Sequence, residues 1–155
     1  VISGKPGVKA PFSFSVRYRT KKPVSSAKSP LAFTVTAPKS ARAGESVTAQ
    51  ATITNTTNAG LPMVIARIGI PGGLTYQTWQ LDELRDKKII DFYETREREV
   101  ILYFRAMAPK AKKTIDIRLL AAVPGAFTAP PSQTYLYYTD EHRTFDAPLA
   151  MTVTR

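Results

Sequence analysis

Apolar and polar residues alternate with a period of two through most of this chain, the pattern of strands that bury one face. Phe12, Phe14, Val16 and Tyr18 alternate with Ser13, Ser15, Arg17 and Arg19. Val47, Ala49, Ala51 and Ile53 do so with Thr48, Gln50, Thr52 and Thr54, and Ile115, Ile117 and Leu119 with Asp116 and Arg118. Further strands are predicted over residues 31–36, 89–93, 134–138 and 147–154. Two stretches, 63–70 and 100–104, are apolar on both faces and belong at the centres of their sheets or beneath a helix. Turn signals separate these segments: Ala43-Gly44, Asn58-Ala59-Gly60, Pro71-Gly72-Gly73, Pro124-Gly125 and Pro130-Pro131. Many short strands at this spacing predict a mainly β, two-sheet antiparallel sandwich.

The period changes once. Over 78–87, Leu81 and Leu84 stand three apart and can share a buried face, so one short helix is predicted there. Thr78 can cap its first turn, Asp82 and Glu83 near the start suit the positive end of the dipole, and Lys87 and Lys88 suit the negative end. Just before it, the strand ending at Ile70 is stopped by Pro71, and the pair Gly72-Gly73 is expected to reverse the chain through positive φ. The segment KKPVSSAKS after Thr20 is rich in Pro and Ser and reads as a linker. The boundaries expected are a strand and linker from a preceding domain at 1–28 and a sandwich domain at 29–155.

Composition narrows the function classes. The chain has 155 residues, 43% hydrophobic and 22% charged, and no cysteine, so neither a disulfide framework nor a thiolate metal site nor a cysteine nucleophile is available. No apolar run approaches the roughly 20 residues of a membrane helix. The chain opens at Val1 without an initiating Met and reads as a piece of a longer polypeptide. Its net charge of +10, from 22 basic and 12 acidic residues, raises a nucleic-acid reading. The basic residues are scattered over strand faces and loops, however, without an accompanying recognition motif, so they are read as a solvated surface and no nucleic acid is expected.

Candidate chemistry is sparse. His142, the single histidine, stands near Asp140, Glu141 and Asp146, so a hydrolytic site would need it in a cleft beside a serine. No G-x-S-x-G elbow is present, and TDEHRT reads more simply as a polar hairpin. Asp140, Glu141 and His142 are consecutive and ill placed to share one ion. Asp82 and Asp86 lie one helical turn apart beside Arg85 and Lys87, as on a solvated charged face. Asn55-Thr56-Thr57 matches the glycosylation pattern, and Trp79, the single tryptophan, is expected to pack on the sheet. Tyr135, Tyr137 and Tyr138 could form a stacking platform for a carbohydrate or another surface, or could fill the core.

Taken in order, the 60–74 run, the Pro-Gly-Gly-Leu turn, the helix, the VILYF strand, the Val123-Pro124 turn and Pro130-Pro131 leading to Tyr137-Tyr138 resemble the C-terminal receptor-binding domain of the alpha-2-macroglobulin and complement family. The distinctive residues are Tyr137-Tyr138 followed by Thr139-Asp140-Glu141, and the aromatic strand ending in Phe104. FSFSVRYRTKKP resembles the strand that leads from the family's thioester region back to this last domain. The resemblance implies a macroglobulin-type sandwich with one inserted helix, without catalysis or cofactor, serving a large protease-trapping protein. It also implies an extracellular or periplasmic location and a monomer for the isolated domain. Its partners would be a receptor, other domains of the parent chain and the proteases that chain captures. In vertebrate members two helix lysines one turn apart engage a receptor; the matching positions here are Thr78 and Asp82, with Arg85, Lys87 and Lys88 as nearby cations. These five residues are the expected partner-binding set. A carbohydrate- or surface-binding sandwich of a cell-envelope protein is the alternative.

Overall fold

The computed structural model of the chain describes residues 13–18, 20, 21 and 23–155. One four-stranded antiparallel sheet runs in the order β1 (Leu31–Thr36), β3 (Ser46–Asn55), β8 (Lys112–Ala121), β5 (Leu74–Tyr76). A five-stranded antiparallel sheet runs β11 (Thr139–Phe145), β10 (Gln133–Leu136), β4 (Leu61–Gly69), β7 (Glu99–Met107), β6 (Phe92–Arg96). A small third sheet of β2 (Ser40–Arg42), β12 (Ala150–Thr154) and β9 (Gly125–Thr128) adds a parallel pair, β12 with β2, to an otherwise antiparallel fold. The mainly β sandwich with one short inserted helix, α1 (Thr78–Asp86), is therefore the architecture observed.

The two main sheets close on one apolar cluster. Ala49, Ala51, Ile53, Ile115 and Ile117 supply one wall, and Val64, Ala66, Ile68, Leu102 and Phe104 the other. Alternation in β3 and β8 sends their polar residues outward, so this half of the core follows directly from the period of two. β4 and β7 occupy the middle of the five-stranded sheet, where apolar character on both faces places them. Ile65 and Ile101 are buried outside the central cluster, on the outward side that cross-strand register gives also to Tyr103, Tyr135 and Arg67.

Several local expectations are corrected. Residues 13–18 form no strand and leave Phe14, Val16 and Tyr18 exposed, since alternation alone supplies no partner ladder; Phe12 and Arg19 lie outside the described residues. Neither Gly72 nor Gly73 takes positive φ. Glycine is required at position 73 for space instead, because a Cβ there would fall 2.2 Å from the Phe127 ring and 2.8 Å from the Val123 carbonyl oxygen. The turn between β10 and β11 is Tyr137-Tyr138, and TDEHRT lies within β11 rather than forming the hairpin turn. Asn55 is fully buried: its amide donates to the carbonyls of Ala59 and Ala108 and its oxygen accepts from the Thr57 amide and hydroxyl, which makes it a loop brace and no glycan acceptor.

Candidate functional site

Helix α1 carries the chain from β5, at the edge of one sheet, to β6, at the edge of the other, and so seals one side of the sandwich. Leu81 is fully buried and Leu84 packs against the core beside it, as the spacing predicts. Thr78 is the first helical residue rather than the cap. Gln77 holds the cap position without a side-chain bond, and no acidic residue lies in the first turn because Asp82 and Glu83 fall one turn later.

Gln80 has a part that the helix pattern does not reveal. β5 pairs with β8 only at residues 119–121, so the β8 edge beyond it needs other partners. The Gln80 amide donates to the Asp116 carbonyl at 2.7 Å and its oxygen accepts the Arg118 N–H at 3.2 Å, so one side chain continues the ladder where β5 stops. The signal available in sequence was a polar residue beside Leu81 and one turn before Leu84.

The outward side of α1 is an ordered charge network. Asp82 accepts the Tyr93 hydroxyl at 2.8 Å and pairs with Arg85 at 3.0 Å, and Arg85 also reaches Asp86 at 3.1 Å. Glu83 pairs with Lys87 one turn on. The hydrogen bond to Asp82, helped by burial, raises the Tyr93 hydroxyl above its usual range, and the bond from Lys87 lowers the Glu83 carboxyl. Lys88 follows the helix with φ of 56°, and the amides of Lys88 and Ile89 donate back to Arg85 and Leu84, which closes the helix with a left-handed residue. Trp79 is 54% exposed, contrary to the packing expectation, because position 79 faces away from the core. The Arg118 guanidinium lies 5.7 Å from its ring, beside a groove of about 350 Å³ between α1 and the outer face of β8.

The other expected constellations come apart. Tyr135 is half-buried with the Arg143 guanidinium 4.5 Å from its ring, whereas Tyr137 and Tyr138 sit in the turn with rings 5.2 Å apart and nearly perpendicular. Three rings on one strand face are therefore not assembled. His142 lies half-buried on the edge strand β11, 3.9 Å from Glu141, and has no hydrogen bond to a serine among the described residues. A larger recess of about 610 Å³ between the end of β1, β9 and β12 has only Lys39 and Asp146 as titratable lining, and Asp146 already accepts the Val35 N–H. Among the described residues no group of three or more His, Asp or Glu side chains could hold an ion. No described helix is long and apolar enough to cross a membrane.

On the outer face of the five-stranded sheet, Arg67 pairs with Glu99 while its Nε has no partner. Burial opposes the Arg67 charge, and the Glu99 bond and charge more than offset it. Tyr103 donates to Glu94 at 2.8 Å, and burial together with that bond pushes its hydroxyl up to about 12.

The model of the A-macroglobulin receptor binding domain family matches residues 61–147, a stretch that runs from β4 through α1 to β11. Among solved structures, a variant of alpha-2-macroglobulin from Salmonella is similar with a TM-score of 0.71 and 17% identity, over 89% of this chain and 10% of that one. Native alpha-2-macroglobulin from Escherichia coli, from its MG7 domain to the C-terminus, gives 0.67 and 14%, over 86% of this chain and 25% of that one. The trypsin-activated form of the Escherichia coli protein gives 0.69 and 16%, over 85% and 11%. The chain thus spans about a tenth of the Salmonella protein's length. No curated protein matches it.

Proposed function

The chain belongs to the A-macroglobulin receptor-binding domain family, and on that premise we propose that it is the non-catalytic, C-terminal interaction module of an alpha-macroglobulin-like protein that traps proteases outside the cell or in the periplasm. The observation that carries this reading is the match over 61–147, which takes in both central strands of one sheet, the sealing helix and the Tyr137-Tyr138 hairpin. Activation by trypsin is a property of the Escherichia coli protein, and its transfer to the parent of this chain is part of the proposal.

The module works by surface contact. The sandwich is a rigid support, and α1 with its following loop presents Thr78, Arg85, Lys87 and Lys88 to a receptor or to another domain of the parent chain, while Asp82 fixes Arg85 and Tyr93 in place. A contact of this kind uses pre-ordered side chains and so loses little rotamer freedom on binding.

The test uses the full polypeptide that carries this domain. Incubation with trypsin is expected to retain trypsin in a high-mass complex on size exclusion, and charge reversal at Arg85, Lys87 and Lys88 together is expected to weaken partner binding about tenfold without unfolding the domain, although loss of the pairs with Asp82, Asp86 and Glu83 lowers its melting temperature. Digestion of the parent chain without retention of trypsin contradicts the trapping role. Unchanged partner binding by the triple variant contradicts the helix assignment.

A further inference from the structure

Four connections converge on one end of the sandwich and make a single surface of them. The Lys110 amide donates to the Thr57 carbonyl at 3.1 Å and its Nζ to the Thr56 carbonyl at 2.7 Å, joining the β3–β4 and β7–β8 connections. Lys113 Nζ reaches the Ile89 carbonyl at 3.4 Å, and the Arg105 amide donates to Asp91 at 2.8 Å, which brings in the segment between α1 and β6. The Tyr137 amide donates to the Met63 carbonyl at 2.9 Å, which places the β10–β11 turn at the same end.

Cations outnumber carboxylates at this end. Lys88, Arg105, Lys110 and Lys112 stand exposed on it, and among the described residues none of them is in an ion pair, while the half-buried Lys113 holds its ammonium 5.1 Å from the Phe104 ring. Asp91 accepts the Arg105 amide, and Asp140 beside the turn is already paired with Arg143 at 2.6 Å. Glu141 faces His142. Between the cations lie exposed apolar side chains: Tyr138 at 74%, Tyr137 at 56%, Phe92 at 53% and Ile89 at 37%. Two recesses open there, one of about 420 Å³ with Asp91, Phe92, Tyr103, Met63 and Arg105 in its wall, and one of about 440 Å³ with Leu61, Pro62 and Met107.

Unpaired cations around exposed rings complement carboxylates around an apolar centre. Recesses beside the rings give places for individual side chains, which a protein partner has and a lipid surface lacks. We infer that this end of the sandwich is a docking surface for an acidic protein segment bearing aromatic side chains, which adjoins the flank of α1 at Lys88. The inference rests on the reading of this domain as an interaction module and adds a second surface to it.

The test titrates the 155-residue chain into three probes: a labelled random copolymer of Glu and Tyr, labelled polyglutamate, and phosphatidylglycerol vesicles. The Glu–Tyr copolymer is expected to bind about tenfold more tightly than polyglutamate, and to lose about tenfold in affinity when salt is raised from low to well above physiological strength. Arg105→Glu with Lys112→Glu, and separately Phe92→Ser, should each weaken copolymer binding about tenfold, whereas Lys87→Glu should leave it within about twofold. All of these side chains but Lys87 lie on this end, and all are exposed, so unchanged thermal melting confirms that the variants fold. Failure of the copolymer to bind, equal binding of both polymers, or preferential retention by the vesicles overturns the inference. None of these outcomes touches trypsin retention by the parent chain, so the two readings fail separately.

Discussion

The flank of α1 and the adjoining end of the sandwich draw on the same residue types and put them in opposite states. On the flank, Arg85 is pinned between Asp82 and Asp86, Lys87 rests on Glu83, and Tyr93 ties Asp82 to the next strand. At the sandwich end, Lys88, Arg105, Lys110, Lys112 and Lys113 have no carboxylate in ion-pair range among the described residues. Net charge therefore says little about where a binding surface lies. What matters is whether each cation already has its counter-ion within the fold. A neutralised, ordered network favours geometry-dependent contacts that salt hardly affects, whereas unpaired cations favour contacts that salt weakens.

The largest effect should come from what holds the flank in place. Gln80→Leu removes both partners of the β8 edge and leaves the Asp116 carbonyl and Arg118 N–H without protein bonds, at a cost of about 2 kcal/mol. Urea unfolding should show the loss while copolymer binding by the folded chain is unchanged. A loss under half that size would mean that the edge is satisfied some other way.

Lys88 joins the two regions and allows a sharper test. Its φ of 56° suits glycine, so Lys88→Gly should stabilise the chain by roughly 0.5 kcal/mol, and the same change removes one unpaired cation and should weaken copolymer binding. Stability and binding are thus expected to move in opposite directions. A fall in both would show that the helix end depends on the lysine side chain.

The third effect is a pH dependence, confined to strongly alkaline solution. Tyr103 ordinarily titrates at 10.0 and in the fold at about 12. Its raised value contributes stability that is complete below the unfolded pKa and is lost as pH rises through the folded one. Tyr103→Phe should therefore flatten the fall in stability over that window relative to the unsubstituted chain. Identical slopes would show that the hydroxyl is solvated as freely as in the unfolded state.

Much of the sandwich was legible because its causes are local. The alternation in β3 and β8 and the two-faced apolar runs of β4 and β7 each state which sides are buried. The third sheet was not legible: β2 has three residues, and its parallel pairing to β12 is a long-range contact that no local period encodes. The same holds for the turn at Tyr137-Tyr138, where aromatic residues continue the look of a strand while the ladder ends at Leu136. Residues 78–88 could be picked out as the helix and its end, but the tie from Asp82 to Tyr93, which orders the partner of Arg85, comes from a separate strand. The cationic end was hidden further, because Lys88, Arg105 and Lys112 are brought together only by the antiparallel return of the chain.

The comparison is tested most directly by following backbone amide shifts as the Glu–Tyr copolymer is added at low and then high salt. Shifts are expected to concentrate in 88–92, 105–113 and the 137–138 turn and to shrink at high salt, with 78–87 little changed. Shifts strongest along 78–87, or a pattern insensitive to salt, would contradict it.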